Sequence, residues 1–176
     1  MRIQRIAIGF LSLCLCTASL SVRAGTPDDP AGVIRALYAT DQPWAQRNID
    51  LGNQQTLSLY FAPDLVKQFL QLDATAKHCS PDDVCGFDFE PFYDTQDFDD
   101  HPDIRLRIER LAPAEAQRYA VYFTVLKSEG EHRLEYKLVQ TPRGWRIADI
   151  LYPEAGDDHA LTDMIKNLIK EAQNSE

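Results

Sequence analysis

The chain lacks the motifs by which most small proteins declare a chemistry. Its 176 residues hold no Gly-x-Ser-x-Gly elbow, no His-Glu-x-x-His pair, no phosphate-binding glycine loop and no dinucleotide fingerprint. No apolar run reaches the roughly 18 residues a membrane-spanning helix needs. Basic residues are in deficit, 18 against 27 acidic, for a formal charge of −9. That balance argues against a nucleic-acid partner, because neutralising phosphates requires a basic face. The four histidines, His78, His101, His132 and His159, are scattered and suggest no ligand set. No metal, no cofactor and no catalysis are expected from these absences.

What is present begins with an export signature. Arg2 and Arg5 precede an apolar run from Ile6 to Cys16, and small residues then lead to Val22-Arg23-Ala24. Residues 1–24 therefore read as a signal peptide cut after Ala24, leaving residues 25–176 as a single domain of ordinary size. Leu stands before both Cys14 and Cys16, where a lipid-attachment motif would hold a small residue. A periplasmic protein without a lipid anchor is the expectation. Cleavage would remove three bases and no acid, leaving 15 bases against 27 acids and a net charge of −12.

Two cysteines survive that cut, in Cys79-Ser-Pro-Asp-Asp-Val-Cys85. Pro81 and the two aspartates favour a turn that brings the thiols together. In an oxidising compartment the pair reads as a structural disulfide. Its spacing is not that of a redox CxxC pair, and a zinc site would need more ligands than the neighbouring His78.

The order of elements follows from periodicity. Asp28-Asp29-Pro30 opens a helix with Val33, Ile34, Leu37 and Tyr38 on one face. Residues 42–53 read as a connection, and Pro63-Asp64 restarts a helix with Leu65, Val66, Phe69 and Leu70 as its stripe. From Ile104 the period becomes two. Strands are predicted around Ile104–Glu109, Tyr119–Leu126, Leu134–Leu138 and Trp145–Leu151. Asp157 and Asp158 then cap a last helix bearing Leu161, Met164, Ile165, Leu168 and Ile169 on one face. The class is α+β: N-terminal helices on a curved antiparallel sheet of about four strands, closed by a C-terminal helix.

Three stretches carry a family resemblance. They are Leu59-Tyr60-Phe61-Ala62-Pro63-Asp64-Leu65, Asp88-Phe89-Glu90-Pro91-Phe92 followed by Gln96-Asp97, and Gly144-Trp145-Arg146-Ile147-Ala148-Asp149-Ile150. On these the chain resembles the bacterial exported family catalogued as domain of unknown function 3828. The resemblance implies a fold of the nuclear-transport-factor-2-like (cystatin-like) cone type and implies no chemistry.

The segment from His78 to Ile104 is the most unusual in the chain. It holds nine acids, five aromatics and no lysine or arginine. A calcium loop around Asp97-x-Asp99-x-His101 lacks the loop glycine and has Ile108 where a bidentate Glu belongs. A paired-carboxylate acid/base site is a second reading, although nothing selects two carboxylates from nine. Aromatics packed under a long loop whose aspartates make turns is a third. A recognition surface is the fourth, built from Phe87, Asp88, Phe89, Glu90, Asp94, Asp97, Phe98, Asp99 and Asp100. The chain as a whole reads as a non-catalytic periplasmic binding module for a basic protein. An immunity protein against a secreted toxin, or an inhibitor of a wall-degrading enzyme, fits that description. The alternatives are a small-molecule binder or cone-pocket enzyme using a buried carboxylate, and a self-associating envelope protein that pairs as a homodimer through its open sheet face.

Overall fold

Local signals at the helix starts act as the sequence predicts. Helix α1 spans Pro30–Thr40: the Asp29 carboxylate accepts the Ala31 N–H at 3.1 Å, and Pro30 occupies the first turn, where no N–H is needed. The computed structural model describes residues 29–79, 85–98, 104–111, 117–126, 130–153 and 159–174. The expected signal peptide with its cleavage after Ala24, Asp99, Asp100 and the expected capping pair Asp157 and Asp158 lie outside these residues. The connection after α1 contains one 3-10 turn, Pro43–Ala45. Helix α2, Gln54–Tyr60, is capped by Asn53, which accepts from the Thr56 N–H. Helix α3, Pro63–Ala76, again begins with proline.

Four strands follow: β1 Arg107–Leu111, β2 Gln117–Phe123, β3 His132–Thr141 and β4 Gly144–Leu151. They pair antiparallel in sequence order, an open meander. The first strand starts later than predicted. Its ladder begins with Arg107 opposite Tyr122, and β2 ends one residue further on, so Ile104 to Leu106 fall beyond the reach of β2. A register shift in the β3–β4 ladder at Lys137/Leu138 marks a bulge. Helix α4, Leu161–Asn174, closes the chain. Its first turn is served from a distance, because Asp149 on β4 accepts the Thr162 N–H at 3.2 Å.

All four helices pack against β4, and α3 lies along α4. The covered face of the sheet is built by period-two alternation: Tyr119, Val121 and Phe123, then Leu134, Tyr136 and Leu138, then Ile147 and Ile150, all buried. Ile34, Leu37, Leu57, Leu65, Phe69, Leu161 and Ile165 meet them from the helices. The opposite face is a lattice of paired charges. Arg107 pairs with Glu109 and Glu131 and lies 3.6 Å over the Tyr122 ring; Arg118 and Arg133 share Glu135; Lys137 faces Asp149. The long basic side chains cover their strands and bury Glu135 and Asp149 beneath them.

Helix α4 carries its predicted apolar face, with Met164 and Leu168 at its edge and packed against the core. Leu161, Ile165, Ile169 and Ala172 form its buried stripe, whereas Met164 and Leu168 are half-buried. They sit on a flank displaced by roughly a quarter of a turn, given about 100° per residue. Replacing the fully buried Ile165 by Ala should cost about 2–5 kcal/mol. Lys166→Ala, one residue on and exposed, should cost less than about 0.5 kcal/mol. Urea midpoints of the two variants check this; equal midpoints would place α4 elsewhere.

Candidate functional site

The acidic, aromatic segment does not lie loosely over the fold. Its centre, Glu90 to Thr95, is a tight turn closed by its own backbone. The Glu90 N–H donates to the Thr95 carbonyl at 2.8 Å, and the Tyr93 and Asp94 N–H groups donate back to the Glu90 carbonyl. Asp94 takes φ +50°, a left-handed conformation that aspartate tolerates better than most residues. Thr95 locks the exit, its hydroxyl donating to the Asp97 carbonyl at 2.8 Å and accepting the Asp97 N–H.

This turn drives Phe92 and Tyr93 into the core, where both are buried. Phe92 stacks on Phe61 and meets Phe69 edge-on. Tyr93 is ringed by Tyr38, Trp44, Phe98 and Phe123 at centroid distances of 5.2 to 5.8 Å. Burying a turn leaves carbonyls that must find donors. Tyrosine hydroxyls supply them. Tyr38 donates to the Phe92 carbonyl at 2.8 Å, and Tyr152 donates to the Pro91 carbonyl at 2.7 Å. Tyr93 in turn donates to the Asp41 carbonyl, and Tyr136 donates to the Tyr38 hydroxyl at 2.9 Å. Burial raises all four phenols well above their ordinary range, so they remain protonated donors.

The nine residues singled out from sequence divide by depth. Phe87, Phe89, Glu90, Asp94 and Phe98 are half-buried, while Asp88 and Asp97 are exposed. Asp99 and Asp100 lie outside the described residues. Phe87 meets Phe89 edge-on at 5.6 Å, and Phe89 meets Tyr152 edge-on at 6.0 Å. Phe98 packs on Trp44 and Tyr93. The structure thus brings the aromatics together under the segment and leaves Asp88 and Asp97 on its outside. Cys79 and Cys85 form a disulfide, with Cα atoms 6.2 Å apart, that ties the start of this segment to the end of α3.

Two recesses flank Phe89, which lines both. One, of about 300 Å³, is bounded by Phe89, Asp94, Thr95, Gln96 and Asp97. The other, of the same volume, runs between residues 86–89 and α4 and includes Phe87, Asp88, Met164, Leu168 and Glu171. Among the described residues, no group of three or more His, Cys, Asp and Glu side chains is placed to hold a metal ion.

One carboxyl escaped notice in the sequence. Asp41, at the end of α1, is 2% exposed; Oδ1 accepts the Ile49 N–H at 2.8 Å and Oδ2 has no hydrogen-bond partner. Burial lifts its pKa from 3.8 to about 6, with a smaller push from Glu90, against the opposing hydrogen bond from Ile49. Glu90 is also raised by burial. No periodicity or motif marks Asp41; its neighbours Tyr93 and Glu90 lie some fifty residues away in the chain. The same holds for Tyr152; periodicity placed Tyr38 on the buried face of α1 but did not reveal its bond to the Phe92 carbonyl, and it did not mark Met164 and Leu168 as lining a recess. For α4 a signal did exist: an apolar arc wider than one buried stripe needs.

Comparison with family models, with curated proteins and with solved structures finds no match for the chain.

The Asp41 geometry sets a pH dependence. The folded protein holds this proton more tightly than the unfolded chain. Its contribution to stability is therefore complete below about pH 4 and is lost as pH rises through about 6. Asp41→Asn keeps the Oδ1 acceptor and removes the charge. It should be more stable than the parent at pH 7.5 by roughly 1–3 kcal/mol, with the gap closing towards pH 4. Denaturant titrations across that range check the prediction, and a gap that widens on acidification would contradict it.

Proposed function

We propose that the chain is a non-catalytic, exported binding module whose partner is a basic protein, acting in the periplasm as an immunity or inhibitor protein. One observation carries this reading: the aromatics of the base-free segment are rooted in the core while Asp88 and Asp97 stand in solvent. A pinned acidic face keeps its charges at fixed positions without an ordering cost on association. Clustered charge of one sign accelerates encounter with a partner of the other sign and rejects acidic proteins. The disulfide between Cys79 and Cys85 supports an exported life, since such bonds persist in oxidising compartments. We read the open meander with its covering helices as a nuclear-transport-factor-2-like cone, and the three sequence stretches above as membership of the exported family they resemble.

A cone-interior enzyme would draw on Asp41, the buried carboxyl. The packing supports a structural role for that group instead, because Tyr38, Tyr93, Phe123 and Tyr136 fill the space before the sheet. On the sheet's outer face Glu135 and Asp149 are already buried against basic partners of their own chain, which supports a face closed by its own ion pairs rather than a homodimer seam.

Immobilised protein exposed to a secreted-protein fraction at about 50 mM salt should retain basic proteins and release them by about 0.5 M, as screening shortens the reach of the acidic face. Replacing Asp88, Asp97, Asp99 and Asp100 together with Asn should lower association rates roughly tenfold. Retention that is indifferent to both salt and these substitutions would contradict the proposal.

A further inference from the structure

We infer that the groove between residues 86–89 and α4 docks a basic peptide segment of the partner, one carrying an apolar anchor side chain between lysines or arginines. This inference rests on the binding-module reading and gives it a location and a ligand chemistry. The groove has two walls made rigid for independent reasons. Residues 86–89 leave the disulfide at Cys85, and Phe87 and Phe89 brace one another before Phe89 meets the buried Tyr152. Helix α4 is fixed by its neighbouring stripe, Leu161, Ile165, Ile169 and Ala172, which lies in the core. What α4 shows the groove is a second stripe, Met164, Leu168 and Glu171, at the same helical spacing.

The recess therefore has an apolar floor of Phe87, Phe89, Met164 and Leu168, with Asp88 on one wall and Glu171 on the other. Both carboxylate-bearing residues are exposed. Among the described residues that line it there is no lysine or arginine, and His159 stands at one end. About 300 Å³ accommodates a few apolar side chains of a peptide, at the lower end of the range for ligand sites. The unbranched side chain of Met164 adapts to anchors of different shape. Charge complementarity selects the occupant. Carboxylates on both walls favour cations flanking the anchor, and a second copy of a chain with net charge −9 would meet like charge here.

The test pans the immobilised protein, at low salt, against phage displaying random peptides of about 12 residues. The enriched peptides are then synthesised and their Kd values measured. Enrichment of an apolar residue flanked by Lys or Arg is expected. Leu168→Asp and, separately, Met164→Asp should each weaken those peptides at least about tenfold, whereas Asp64→Asn, exposed on α3 and outside the acidic segment, should change them less than about twofold. Backbone amide shifts of the unmutated protein should move at residues 86–89 and 164–171 on titration, a readout that does not depend on how the variants fold. Basic peptides that bind equally to both α4 variants, weaken with Asp97→Asn and shift residues 94–97 would overturn the groove and leave the acidic-face reading standing. Selection that enriches no basic peptide would overturn both.

Discussion

The structure hinges on hydrogen bonds from buried tyrosines to the backbone of one turn. Pro91 and Phe92 carry their carbonyls into the core along with the Phe92 ring, and an unpaired buried carbonyl costs roughly 1–3 kcal/mol. Tyr152 and Tyr38 meet those two carbonyls, and Tyr93 returns the bond from the turn to Asp41. These contacts join residues 52 to 61 positions apart. They link the α1 region and the residue just after β4 to a turn that lies in no helix or strand. With the turn seated, Phe92 and Tyr93 complete the core; without it, the space in front of the sheet would be open.

Seating the turn also fixes the electrostatics. Acids and aromatics alternate closely between Phe87 and Phe98, so anchoring the rings determines where the carboxylates stand. Asp88 and Asp97 end outside, Glu90 and Asp94 half-way in, and Asp41 is caught beneath with a raised pKa. Arg107, Arg118, Arg133 and Lys137 lie on the far side of the sheet, each paired with an acidic neighbour. A chain of strongly negative charge thus places a lattice of ion pairs on one surface and the exposed acids Asp88 and Asp97 on another.

Much of the fold is legible in the sequence because local signals make it. Asp29-Pro30, Pro63 and the α4 stripe each act within a few residues, and the period-two strands need only an alternating pattern. The site is less legible. Composition marks residues 78–104 as unusual, and it separates acids from aromatics, but which rings go inside depends on partners such as Tyr38, Trp44 and Tyr152 that share no spacing with them. Asp149 meeting the first turn of α4, and Asp41 receiving the Ile49 N–H, are likewise long-distance substitutes for local caps. Ile104 to Leu106 alternate like a strand yet lie ahead of β1, since alternation reports a pattern and not a neighbour.

Amide hydrogen exchange tests the central claim most directly. The Tyr93 and Asp94 amides, both donated to the Glu90 carbonyl, belong to a turn with no regular structure. If the tyrosine bonds seat it as part of the core, these amides should exchange only with global unfolding, as slowly as those of Tyr136 and Ile147 in the sheet. Exchange at the rate of an exposed surface loop, with the sheet still protected, would contradict the account.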